Sequence, residues 1–85
     1  GNFHVILPYD PAKKEMYERI REYNDLLIKK GLELNGTITG EHGVGLHKKK
    51  YLLEQHADNM PVMKSIKRTL DSNNIMNPGK IFDLN

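Results

Sequence analysis

The chain has 85 residues, with 13 Lys and Arg against 11 Asp and Glu, no Cys and no Trp. A chain of this length buries only about 60–65% of its unfolded surface, which allows one modest core and leaves little room for a cofactor pocket. The absence of Cys excludes disulfides and thiolate ligands, a net charge of +2 does not by itself indicate nucleic acid, and no apolar run approaches the ~20 residues of a membrane span.

The first predicted element is a short strand. Residues 3–7 form a continuous apolar run with β-branched members, which predicts a strand covered on both faces. A second extended piece is predicted at residues 37–39. The chain opens with Gly1, without a secretory signal and as if inside a motif, so we expect it to be a piece of a longer protein.

A long helix follows the strand. Asp10 supplies an N-cap acceptor and Pro11 suits the first helical position. Apolar residues then recur at helical spacing as far as Leu34. The Asn35-Gly36 pair predicts the end of this helix, since both residues tolerate a left-handed backbone.

Two shorter helices are predicted in the second half, from about residue 46 to 55 and from about 58 to 70. The buried stripe of the last helix is expected to consist of Val62, Met63, Ile66 and Leu70. The segment Asn77-Pro78-Gly79-Lys80 has Pro and Gly at the positions that a type II turn favours. The predicted class is α+β, mainly helical, with one or two short strands.

Chemistry is concentrated in the segment Gly40–Gly45, which contains three of the seven glycines. His42 is a candidate general base, because the unperturbed pKa of His lies near neutrality. The adjacent Glu41 could bind a metal or raise the basicity of the imidazole. The alternative is an ordinary glycine turn with a solvated His. His4 lies on the predicted apolar strand, where a lone His is more often a hydrogen-bonded core residue than a metal ligand.

The run His47–Lys50 is the densest basic segment. A solvated helix face is favoured over a nucleic-acid surface, because the only nearby aromatic residue is Tyr51. We therefore expect no nucleic-acid partner.

Several motifs, in order, closely resemble the C-terminal end of the FAD-linked oxidases. This family includes flavin-type D-lactate dehydrogenase, the FAD subunit of glycolate oxidase and D-2-hydroxyglutarate dehydrogenase. The resemblance rests on Gly40–Gly45, Lys49–Leu52 and Asn77–Lys80. Gly1–His4 also resembles the tail of the family's H-x-G-D-G-N-x-H motif, whose first His lies upstream.

The resemblance implies a vanillyl-alcohol-oxidase-like flavoenzyme. Residues 1–36 would be the end of its α+β cap domain, comprising a strand and a long helix. Residues 37–85 would hold the active-site loop and the C-terminal helical segment.

The resemblance also implies roles for four residues. His42 matches the family's catalytic base, and His4 and Glu41 match two ligands of a divalent metal, usually zinc. Asn77 matches the N-P-G-K turn and would lie near FAD. The metal orients the oxygens of the substrate, a small D-2-hydroxy acid.

The implied enzyme passes a hydride equivalent to FAD and then electrons to an acceptor or partner redox subunit. We expect a cytoplasmic protein without a membrane span. For the full-length enzyme, the alternative is peripheral attachment to the inner membrane. The 85 residues alone are expected to be inactive, and their exposed strand edge could support a homodimer. The alternative function is a non-catalytic helical interaction module.

Overall fold

The structure, a computed structural model, describes residues 1–85, which form two compact units, Gly1–Glu41 and His42–Asn85. The first unit contains helix α1 (Lys14–Glu33). The second contains α2 (Lys49–Gln55), a 3₁₀ turn (Ala57–Asn59) and α3 (Met60–Leu70). None of these helices has the length and apolar character required to cross a membrane.

The predicted strands are absent, and the chain is helical with irregular connections. Residues 3–7 have no regular secondary structure, and the side chains of Phe3 and Ile6 are 75% and 85% exposed. A strand covered on both faces needs neighbouring strands and a packed layer. Because the elements of these 85 residues are all helices, neither is supplied, and the prediction of a strand is wrong. Residues 37–39 also form no strand, although Ile38 is buried.

Helix α1 begins later than the sequence predicted. The Asp10 side chain does accept a backbone hydrogen bond, from Ala12 N–H at 3.0 Å, and the Asp10 carbonyl accepts one from Lys13 N–H at 3.0 Å. These bonds close a separate turn, and helical geometry starts only at Lys14. Asp10 therefore stabilises the turn before the helix and is not the N-cap.

The end of α1 confirms the role predicted for Asn35-Gly36. Asn35 has a left-handed backbone with φ of 61°. Its N–H donates to Leu32 O at 3.0 Å, and Gly36 N–H donates to Gly31 O at 2.8 Å. These two bonds form a Schellman motif, which satisfies carbonyls that the last helical turn leaves unpaired.

The apolar side of α1 is open within its unit. None of its residues is buried. Leu7, Pro8 and Ile20 contribute to an open groove of about 850 Å³ along the first half of the helix. The rings of Tyr9 and Tyr17 lie 5.6 Å apart at one end of α1, so aromatic contact joins the helix to the segment before it.

The core of the second unit is small. Tyr51 and Leu52 from α2 and Met60 from α3 are its buried apolar residues. The buried stripe predicted for α3 is wrong for three of its four members, because Val62, Ile66 and Leu70 are all more than half exposed. Within the second unit, Met60 at the start of α3 is the buried residue of this helix, and the predicted stripe remains uncovered.

A polar cap ends α3. The buried Asp71 carboxylate accepts hydrogen bonds from Ile75 N–H at 3.0 Å and Met76 N–H at 2.9 Å, and it pairs with Lys67 Nζ. The Lys67 hydrogen bond lowers the pKa of this carboxyl below its ordinary 3.8, burial opposes the shift, and the two backbone donors add to it. The ionised carboxylate thus holds residues 71–76 against the end of the helix.

We expect Asp71→Ala to release this segment. The amides of Ile75 and Met76 lose their acceptor, so their hydrogen exchange should accelerate by roughly tenfold or more. Ser72→Ala, at an exposed neighbouring position, is the matched control. Unchanged exchange at both amides would contradict the cap.

The same cap should depend on pH. Because the folded pKa of Asp71 is depressed, its contribution to stability is fully present above the unfolded pKa of about 4 and is lost as the pH falls through the folded value. Protection of the two amides should therefore weaken below about pH 4 in the parent protein and show no such dependence in Asp71→Ala.

Candidate functional site

Two glycines in the segment Gly40–Gly45, here called the glycine loop, have a structural reason, one in the backbone conformation and one in a close side-chain contact. Gly43 has φ of 75°, a conformation that side chains disfavour. At Gly40, an added Cβ would lie 2.6 Å from the side chain of Asn2. The loop therefore allows the N-terminal segment to approach closely at Gly40 and then turns sharply immediately after His42.

Within the first unit, His4 and Glu41 are in direct contact. Their Nε2 and Oε1 atoms lie 2.9 Å apart, although 37 positions separate them in the chain. Both side chains are about half exposed, at 60% and 48%. His4 is therefore not the buried core residue that the apolar context favoured. The fold instead brings two potential metal ligands together at the surface.

The donor types and their spacing fit a divalent cation. Zinc binds His nitrogen and carboxylate oxygen at about 2.0–2.2 Å, which separates neighbouring ligand atoms of a tetrahedral site by roughly 3.3 Å. The 2.9 Å between His4 and Glu41 is close to that separation. Without a cation, the same contact serves as a hydrogen bond from a protonated Nε2 to the carboxylate.

His42 follows Glu41 directly and begins the second unit, with an exposed side chain. Because Gly43 turns the chain next to it, its imidazole stands on an accessible loop. An accessible His can exchange protons with a small molecule, which is the minimum that a general base requires.

Asn77 lies in the second unit, at the start of the predicted turn. Lys80 N–H donates to Asn77 O at 3.3 Å, and Gly79 has φ of 74°. The positive φ at the third residue and Pro78 at the second match a type II turn, as the sequence predicted. Asn77 is exposed, has φ of 47°, and lines a small cavity of about 200 Å³. Its amide is thus available to donate or accept hydrogen bonds.

Lys49 has a structural role that the basic run concealed. Its ammonium group donates to Gly79 O at 3.0 Å and to both carboxylate oxygens of Asp83, at 2.8 and 3.0 Å. The prediction that this run is a solvated face is therefore wrong for Lys49. Lys50 is exposed, and its ammonium lies 4.6 Å from the centre of the Tyr51 ring. The only signal in the sequence was that Lys49 and the Asn77–Lys80 turn belong to the same set of motifs.

The chain is similar to several curated oxidoreductases along nearly its full length. It is 45% identical over 83 residues to a mitochondrial D-lactate dehydrogenase (cytochrome) of Arabidopsis thaliana, covering 96% of this chain and 15% of that protein. It is 41% identical over 83 residues to glycolate oxidase subunit GlcD of Bacillus subtilis, covering 96% and 18%. It is 36% identical over 85 residues to a D-2-hydroxyglutarate dehydrogenase of Stutzerimonas stutzeri, again covering 96% and 18%.

The chain spans less than a fifth of the length of these relatives. No solved structure matches it significantly. Residues 1–81 match the family model described as FAD linked oxidases, C-terminal domain. The match takes in the glycine loop, His4 and the Asn77–Lys80 turn. The chain therefore belongs to the family of FAD-linked oxidases, as a C-terminal domain.

Proposed function

We propose that the protein containing this chain is an FAD-dependent dehydrogenase or oxidase of D-2-hydroxy acids, such as D-lactate or glycolate. Membership of the family supports the use of FAD, and the relatives' names supply the substrate class. The observation that carries the proposal is the 2.9 Å contact of His4 with Glu41, immediately before His42 in the chain. Glu41, which contacts His4, therefore precedes the candidate base directly in the chain.

In the proposed reaction, His42 accepts the hydroxyl proton of the substrate on a neutral imidazole nitrogen. His4 and Glu41 would hold a divalent cation, and the chemistry that the cation would supply is a lowered pKa of the substrate hydroxyl and a fixed orientation of its oxygens. When bound, FAD supplies the acceptor for the α-hydrogen and its electron pair. Loss of the proton and of the hydride equivalent converts the carbon–oxygen single bond into a carbonyl, so the product is a 2-oxo acid.

The proposal also covers Asn77, the electron acceptor, the assembly and the location of the protein. Asn77, exposed in its turn, donates or accepts a hydrogen bond near the flavin. Electrons pass on to an acceptor or a partner redox subunit. A homodimer stays a prediction, now without the strand edge on which it rested. A cytoplasmic location remains a prediction beside relatives whose names are mitochondrial.

The alternative of a helical interaction module is favoured by one observation, the absence of buried residues on α1. An uncovered amphipathic helix with Lys13-Lys14 at its start could bind another protein. This function would not require His4, Glu41 or His42, and the substitutions below therefore separate it from the enzyme.

Replacing the proposed base tests the reaction. In the full-length enzyme, His42→Ala should lower kcat by about 10²–10⁴-fold, the usual contribution of a general base. His47→Ala, five positions later and also exposed, should leave kcat unchanged. A His42→Ala enzyme with parental kcat would reject the assignment.

Replacing the proposed ligands tests the metal. His4→Ala and Glu41→Ala should each reduce the divalent metal retained by the purified full-length protein, because each removes one donor atom from the site. Elemental analysis provides the measurement, and His56→Ala and Glu54→Ala serve as controls of matched chemistry. Unchanged metal content in both ligand variants would exclude these residues as ligands.

The 85 residues alone should bind no FAD. Only four apolar side chains are buried in them, and the groove along α1 lies open, whereas cofactors bind in pockets that enclose most of their surface. The purified polypeptide should therefore lack a flavin absorbance band. Near-stoichiometric flavin in it would contradict this expectation.

A further inference from the structure

The segment from Asn77 to Asp83, here called the C-terminal turn, is fastened to the start of α2. Lys49 is the first residue of that helix, and its ammonium group makes all three contacts with the turn, to Gly79 O and to both oxygens of Asp83. The Lys49 side chain is only 25% exposed. An ammonium that is largely shielded and bonded to a carboxylate and a carbonyl is held more firmly than a surface ion pair.

A second bond fastens the C-terminal turn to the glycine loop. Ile81 N–H donates to Gly45 O at 2.8 Å. Gly45 is the last residue of the loop and lies three positions after His42. The backbone on this side of His42 is therefore anchored by an amide of the C-terminal turn.

Ile81 has a backbone conformation that is unfavourable for its side chain. Its φ is 69°, and a β-branched residue is a genuine outlier in this left-handed region. Such a backbone persists only where its surroundings hold it. Here the flanking contacts are Phe82 N–H to Lys80 O at 2.8 Å and the Lys49 bonds to Gly79 and Asp83 on either side.

These contacts have a consequence for the loop. A segment with glycines at 40, 43 and 45 has little intrinsic stiffness, so its conformation depends on where its ends are held. We propose that Lys49 is a positioning residue for His42: by bonding Gly79 and Asp83, it holds Ile81 N–H on Gly45 O and thereby fixes the loop beside His42. This inference rests on the proposed function only in taking His42 as the base.

Lys49 touches neither His42 nor the proposed ligands in this chain of contacts, so its effect is on geometry. A displacement of about 1 Å at a reacting group can cost about 10²-fold in rate. The rate constant of proton removal and flavin reduction should therefore fall when the Lys49 bonds are lost. The KM for the substrate should change little, because no substrate contact is removed.

The first test uses the full-length flavoenzyme and Lys49→Met, which keeps an unbranched stem but removes all three hydrogen bonds. The rate constant of flavin reduction at saturating D-lactate or glycolate, measured by stopped flow, should fall about tenfold or more. This rate constant does not depend on the fraction of active enzyme, so simple loss of folded protein would not mimic the effect. Lys50→Met, the same substitution one position later, should reduce flavin at the parental rate.

Two further variants sharpen the test. Lys49→Arg can still donate to both Gly79 and Asp83, and it should recover most of the rate. Asp83→Asn removes the charge partner from a side chain that is 64% exposed, and it should show a smaller loss in the same direction even if Lys49→Met folds poorly. An Arg variant as slow as the Met variant would overturn the proposal.

The contacts that hold Ile81 N–H on Gly45 O can be tested without measuring activity. Hydrogen exchange of the peptide containing Ile81 should accelerate in Lys49→Met and not in Lys50→Met. Unchanged exchange would overturn the proposal even where His42→Ala is inactive. Faster exchange with a parental rate of flavin reduction would also overturn it, because the Lys49 contacts would then not position the base. A parental kcat in His42→Ala would instead reject the base assignment and leave the exchange result standing.

Discussion

Very little apolar surface is buried in this structure, and this scarcity determines how its segments are held in place. Ile38, Tyr51, Leu52 and Met60 are the buried apolar residues among the 85. Burial of so few side chains contributes only a small part of the free energy that folding requires. The connections between and after the helices are therefore held mainly by directed polar bonds, and the segments that carry the candidate site are among them.

Two Lys–Asp pairs illustrate this dependence. Lys67 joins Asp71 and also donates to the carbonyl of Met76. Lys49 joins Asp83 and also donates to the carbonyl of Gly79. Asn77 lies between these two carbonyls in the chain, so an ammonium group fixes the backbone on each side of it. A side chain proposed to face a cofactor thus stands on a short segment that is held at both ends.

The sequence was most informative where a local conformational rule decides the outcome. Asn35-Gly36 ends α1 in a Schellman motif, and Pro78-Gly79 forms the predicted turn, because both depend on backbone preferences that few residues satisfy. The strand at residues 3–7 was wrong because a strand is defined by its neighbours, which apolarity alone does not reveal. The start of α1 was misassigned because Asp10 can close a turn as well as cap a helix.

For the site, the contact of His4 with Glu41 crosses 37 positions, and only the resemblance of the motifs indicated it. Lys49 was missed because partners 30 and 34 positions away leave no local pattern.

The Schellman motif at the end of α1 also affects how the protein ages. Asn-Gly pairs are chemically fragile, since the glycine nitrogen can attack the asparagine side chain and form a succinimide, which then opens to aspartate or isoaspartate. In this structure the nitrogen of Gly36 is engaged with Gly31 O at 2.8 Å, and the backbone of Asn35 is fixed at φ of 61°. This hydrogen bond opposes the approach of the nitrogen to the side-chain amide. Spontaneous deamidation at Asn35 therefore becomes a record of how long this helix end has spent unfolded.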